Sequence, residues 1–90
     1  VFGVQADKDI AGMASMLGDL AQEVFLCDLP APRGARAADL MAAFGAERST
    51  CWGSPAAGRR AAESRAQTMD GPVRIIIAGS FITVGDCGLG

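Results

Sequence analysis

The chain contains no histidine. That removes the side chain most often used as a general base near neutral pH, and with it any Ser-His or Cys-His nucleophile. Ser80 therefore has no imidazole to activate it. Cysteine is sparse: Cys27, Cys51 and Cys87 are odd in number, widely spaced and form no C-x-x-C pair. The pattern argues against a disulfide scaffold and a zinc site, and reads as core thiols in a reducing, cytoplasmic setting. Lysine occurs once, at Lys8, and eight basic residues face ten acidic ones for a net charge of −2. No basic cluster has the density that a phosphate backbone requires, so no nucleic acid is expected as a partner. No apolar run approaches the ~18 residues of a membrane span. The first residues lack the basic-then-apolar order of a secretory signal. The phosphate loop G-x-x-x-x-G-K-[ST] and the dinucleotide fingerprint G-x-G-x-x-G are absent as well.

What remains is a folded composition. Half of the 90 residues are hydrophobic and 20% are charged, the balance of a globular chain. The length makes residues 1–90 a single domain, and a chain of this size buries only about 60–65% of its extended surface. Twelve glycines and a high alanine content thin the core further. The chain opens directly on Val1-Phe2-Gly3-Val4 and closes on Gly88-Leu89-Gly90, which reads as a domain or gene fragment truncated at both ends.

Apolar runs alternate with helical patterns. Val1–Val4 reads as a buried strand, Gln5–Asp9 as a polar loop, and Asp9 as the cap of a helix whose face carries Ile10, Met13, Leu17 and Leu20. Glu23–Leu29 is a second strand, stopped by Pro30 and Pro32. After the Pro30–Arg36 loop, Ala37, Leu40, Met41 and Phe44 mark a second helix, which Gly45 ends. Ser49–Trp52 is a weak third strand. Ser54-Pro55 starts a third helix, with Ala62, Ala66 and Met69 on one side. Asp70-Gly71-Pro72 is a turn. Val73–Ala78 is the most β-prone run in the chain and is expected at the sheet centre. Phe81–Cys87 begins a last helix. This order predicts an α/β, Rossmann-like three-layer domain with a mostly parallel sheet.

In such a sheet, ligands bind beyond the carboxyl ends of the strands. Three segments then matter. Asp7-Lys8-Asp9 sets two carboxylates around an ammonium, a grouping that holds a zwitterion; its plain alternative is a solvated loop with a helix cap. Gly79-Ser80-Phe81 lets the backbone approach a ligand and offers a hydroxyl and free N–H groups to an anion; its alternative is a serine cap with no ligand. Arg33, on a proline-stiffened loop, suits a carboxylate or phosphate, although most loop arginines are merely solvated.

Three motifs lie in order at domain-scale spacing: VFGVQADKDIAGM, PAPRGARAADLMAAFG and IIIAGSFITVGD. Taken together, D-K-D-I-A-G (Asp7–Gly12), P-R-G-A (Pro32–Ala35) and G-S-F-x-T-V (Gly79–Val84) resemble the C-terminal domain of bacterial folylpolyglutamate synthase/dihydrofolate synthase, in the Mur ligase superfamily. The likeness runs from Val1 to about Leu89, and the spacer between Gly45 and Val73 is undistinctive. It implies an ATP- and Mg2+-dependent ligase that activates a carboxylate as an acyl phosphate and joins L-glutamate to dihydropteroate or a reduced folate. It also implies that this domain positions the glutamate. On the matching positions, Ser80 and the following helix start are the glutamate-carboxylate site, Phe81 its wall and Lys8 a second anion contact. Asp7 and Asp9 orient Lys8 or the substrate amine, and Arg33 falls on a loop position of unassigned role.

The chain departs from that family by lacking the N-terminal ATPase domain, with its phosphate loop, and the Ala-His-Asn segment. The 90 residues are therefore not expected to catalyse alone. The implied parent is monomeric and cytoplasmic, with ATP and Mg2+ bound mainly by the ATPase domain. Other readings are the C-terminal domain of a cell-wall Mur ligase, a non-catalytic Rossmann-like module for small anions, and a purely structural domain.

Overall fold

A computed structural model describes residues 1–30, 32–79 and 81–88, and at Phe81 and Ile82 the backbone alone. Strands and helices alternate: β1 (Phe2–Gly3), α1 (Ile10–Gly18), β2 (Val24–Cys27), α2 (Ala37–Phe44), β3 (Ser49–Trp52), α3 (Pro55–Gln67), β4 (Ala78–Gly79) and α4 (Phe81–Asp86). The strands form one sheet in the order β3-β2-β1-β4, and every pairing is parallel. α1 packs with α2, and α3 packs with α4. The domain is α/β, a parallel sheet between two helical layers in the Rossmann-like manner.

Local chemistry starts and stops these elements. Asp9 caps α1, its Oδ1 accepting the Gly12 N–H at 3.1 Å. Ser54 caps α3 by accepting the Ala57 N–H at 3.1 Å, with Pro55 as the first helical residue. Gly45 ends α2 at φ 90°, its N–H donating to the Met41 carbonyl at 2.8 Å. That positive φ is open to glycine without a Cβ penalty.

The two sheet faces differ in side-chain size. On one face Phe2, Val4, Val24 and Leu26 meet Ala14, Leu40 and Phe44 in the main core, with the Phe2 and Phe44 rings 5.2 Å apart. Leu26 and Leu40 are fully buried, each contributing about 1.5–3 kcal/mol by burial. The alternate residues, Gly3 and Cys27, face the other way. They are small, and α3 lies so close that a Cβ at Gly58 would overlap the Cys27 sulfur.

Three expectations are corrected. Val73–Ala78 is not the central strand: β4 (Ala78–Gly79) is the sheet edge, and only Ala78 of the run belongs to it. Val73, Ile75 and Ile76 are exposed. The register explains this, because Phe2 lies opposite Ala78 and residues 73–76 have no counterpart on β1. Leu20 does not share the α1 face. The helix ends at Gly18 and Leu20 is 71% exposed, while Ala14 and Gly18 are buried instead. Cys51 is not a core thiol, since it is exposed on the edge strand β3, whereas Cys27 and Cys87 are buried.

Candidate functional site

The strand order reverses between β1 and β4. From β1 the chain proceeds to β2 and β3 on one side, then crosses back to β4 on the other. Two parallel neighbours joined in this way leave a crevice at their carboxyl ends. Gly79, at φ 128°, passes so near the Gly3 carbonyl that any Cβ there would collide with it. The glycine is thus required where β4 meets β1, and the chain turns from it into α4.

The loops after β1 and β2 are stitched together at the same rim. The Ala6 N–H donates to the Arg33 carbonyl at 2.8 Å, and the Ala35 N–H to the Val4 carbonyl at 2.9 Å. Gln5 and Gly34 form an antiparallel bridge. A side chain at Gly34 would strike the Leu29 carbonyl. The D-K-D and P-R-G-A segments, far apart in sequence, are therefore one backbone-bonded surface.

Carboxylates on this rim are engaged by helix starts. Asp9 caps α1. Asp28, at the end of β2, accepts the Ala37 N–H of α2 at 2.7 Å. Asp86 accepts the Ala56 N–H of α3 at 3.0 Å. Each negative charge meets the positive end of a helix dipole and satisfies a donor that the helix leaves free. Asp7, Lys8 and Arg33 are exposed. Among the described residues their side chains form no ion pair or hydrogen bond. Lys8 sits in a turn whose N–H donates to the Gln5 carbonyl at 3.2 Å.

Of the expected site residues, Lys8, Asp7, Asp9 and Arg33 share the carboxyl rim, on loops that adjoin. Phe81 opens α4 beyond β4. Ser80 and the Phe81 side chain lie outside the described residues. Sequence reasoning missed Asp28 and Asp86 as caps and Thr83 as a fastener. The Thr83 hydroxyl is buried and donates to the Gly3 carbonyl at 2.6 Å, tying α4 to β1. Its signal is a hydroxyl inside the apolar stretch F-I-T-V.

Burial pushes the Cys27 thiol up to about 11 and raises that of Cys87 as well. Both are protonated at neutral pH and are not nucleophiles there. Among the described residues no three cysteine, aspartate or glutamate side chains converge on one point. No helix among the described residues is long and apolar enough to cross a membrane. The rim thus carries two exposed cations, Lys8 and Arg33, and one exposed carboxylate, Asp7, that are not tied up in hydrogen bonds or ion pairs among the described residues.

Comparison with family models, with curated proteins and with solved structures finds no match.

Proposed function

We propose that this chain is the glutamate-holding domain of a cytoplasmic, ATP-dependent ligase that joins L-glutamate to dihydropteroate or a reduced folate. Lys8, Ser80 and Phe81 contact the amino acid, and Asp7, Asp9 and Arg33 support them. The observation that carries the reading is the direct parallel pairing of β1 with β4. It brings the D-K-D loop and the start of α4 to one rim.

ATP and Mg2+ would be held by a separate ATPase domain and would supply the activated pterin carboxylate. What this chain contributes is position. Lys8 and the start of α4 hold the glutamate α-carboxylate, so that its amine faces the carbonyl carbon at about 3–3.5 Å. The amine nitrogen forms the new C–N bond, phosphate leaves, and the amine proton passes to solvent. The lack of histidine is consistent with such a role.

The test is an NMR titration of the 90-residue chain with L-glutamate, with L-glutamine and D-glutamate as controls. Amides of residues 6–9 and 83–86 shift and saturate near a Kd of about 1 mM, equivalent to about 4 kcal/mol. Lys8→Ala abolishes the response. No shift at the rim up to about 50 mM L-glutamate, a concentration well above that Kd, overturns the reading. The two uncommitted cations Lys8 and Arg33 also favour a simple anion-binding module, which sulfate or phosphate binding tighter than L-glutamate would establish instead.

A further inference from the structure

An open cleft of about 580 Å3 lies on the α3 side of the sheet at its β3 edge. That volume falls within the range of about 300–1,000 Å3 seen for small-ligand sites. Every residue that lines it lies between Glu23 and Arg65, in the interior of the chain. The rim discussed above lies between β1 and β4, so this is a second place on the molecule.

Strand alternation builds the floor of the cleft. Phe25 stands in register with Thr50, and Cys27 with Trp52. Successive side chains point to opposite faces, so Phe25, Thr50 and Trp52 face α3 while Leu26 enters the main core. α3 packs mainly over β2 and turns Ala57, Ala61 and Ser64 toward the cleft. These side chains are small, and Phe25 and Trp52 stay partly exposed beneath them. The two rings lie 6.3 Å apart and are tilted by 31°. The indole N–H donates to the Thr50 hydroxyl at 2.8 Å, which fixes the plane of the indole. The floor is a preset aromatic platform.

The wall carries one uncommitted charge. Arg65 is held by Glu23, its Nε donating to the two carboxylate oxygens at 3.0 and 3.1 Å. Arg60 is exposed, and among the described residues its guanidinium has no ion pair and no hydrogen bond. Ser64 lies four residues on, the spacing that sets two side chains side by side on a helix. A guanidinium and a hydroxyl therefore stand above the platform, while the carboxylate of the cleft, Glu23, is engaged.

We propose that this cleft binds a small planar aromatic anion. The ring stacks on Trp52 and Phe25, and the carboxylate or phosphate accepts hydrogen bonds from Arg60 and Ser64. Guanidinium matches either anion with two parallel bonds. A neutral aromatic ring leaves Arg60 unused, and an aliphatic anion leaves the platform bare, so the ligand needs both parts. Aryl carboxylates and mononucleotides share this chemistry.

Trp52 is the only tryptophan of the chain, so indole fluorescence reports the cleft directly. The chain is titrated with benzoate and with adenosine monophosphate. Cyclohexanecarboxylate and adenosine are the matched controls, lacking the ring and the charge respectively. At least one aromatic anion shifts the emission saturably with a Kd of about 1 mM or tighter, and its control binds at least about tenfold more weakly. Saturation by the nucleotide alone identifies a nucleotide site, and saturation by benzoate alone an aryl carboxylate site. Arg60→Ala weakens the binding by about tenfold or more. Arg74→Ala, which removes an exposed charge outside the cleft, leaves the binding unchanged. The absence of a saturable response to both anions overturns the proposal, as does an equal response to the controls or an equal loss in the two arginine variants. Emission that changes with chain concentration before any ligand is added also overturns it, because a second copy would then occupy the cleft.

Discussion

Removing the Thr83 hydroxyl tests how far its buried bond to the Gly3 carbonyl holds α4 on β1. In Thr83→Val the shape is kept, but the donor to the Gly3 carbonyl, now at 2.6 Å, is lost. Thr83 is fully buried, so water does not replace it. Leaving a buried acceptor unsatisfied costs about 1–3 kcal/mol. In a domain of this size each kcal/mol moves Tm by about 4–8 °C, so the melting point falls by roughly 4–24 °C. Thr83→Ser keeps the hydroxyl and loses one methyl, at about 0.8 kcal/mol. Urea unfolding followed by far-UV circular dichroism ranks the three proteins. The expected order is wild type, then Ser, then Val. A Val variant as stable as wild type, or more stable than Ser, refutes the assignment of the bond as the fastener.

Gly58→Ala sets two effects against each other. Alanine gains about 1 kcal/mol in helix propensity, but its Cβ overlaps the buried Cys27 sulfur, and overpacking costs about 1–3 kcal/mol. The single variant is destabilised or neutral in denaturant titration, and adding Cys27→Ala reverses the loss; a destabilisation that persists in the double variant refutes the contact. Stability also falls as pH rises between about 9 and about 11. The unfolded chain releases the Cys27 proton from an ordinary thiol value of 9.0, while the folded chain holds it to about 11, so the folded state binds more protons across that window. Cys87, raised in the same direction, adds to the slope. With no tyrosine in the chain, the thiols dominate this range, and Cys27→Ala flattens the curve in pH-dependent urea midpoints.

The elements most legible in the sequence were those whose signals are local. Asp9, Ser54-Pro55 and Gly45 each begin or end a helix with a side chain or φ value that acts within four residues. The Ala37–Phe44 periodicity survives intact because its apolar face meets the sheet directly. Val73–Ala78 shows the limit of that reasoning. Its β-branched composition states a preference for pleated surroundings, but strand formation needs a neighbour in register, and β1 reaches only residues 77–79. Leu20 failed for a related reason: periodicity extends a helix until something stops it, and nothing in the pattern marks Gly18 as its end. Asp28 and Asp86 were invisible as caps because each lies well outside the usual capping distance in sequence, 9 residues from Ala37 and 30 from Ala56. The rim itself was legible only as three separate loops. The bonds from Ala6 to Arg33 and from Ala35 to Val4 that join two of them are backbone contacts, which no side-chain motif reports.

The arrangement of charge on the rim bears on what kind of site it is. Four helices begin there, and the starts of α1, α2 and α3 would ordinarily each present free N–H groups and a partial positive charge. Asp9, Asp28 and Asp86 engage these three. Among the described side chains, the attraction for an anion comes from Lys8 and Arg33, which are exposed. Exposed cations are screened by salt over about 8–10 Å and contribute little by themselves. An anion on this rim is therefore held weakly until something covers it and removes the water. A domain that only bound anions would gain by leaving its helix starts uncapped. A domain that presents an amino acid to a reacting partner, as proposed for this chain, needs weak, well-placed contacts that strengthen on closure, and capped helix starts are compatible with that need.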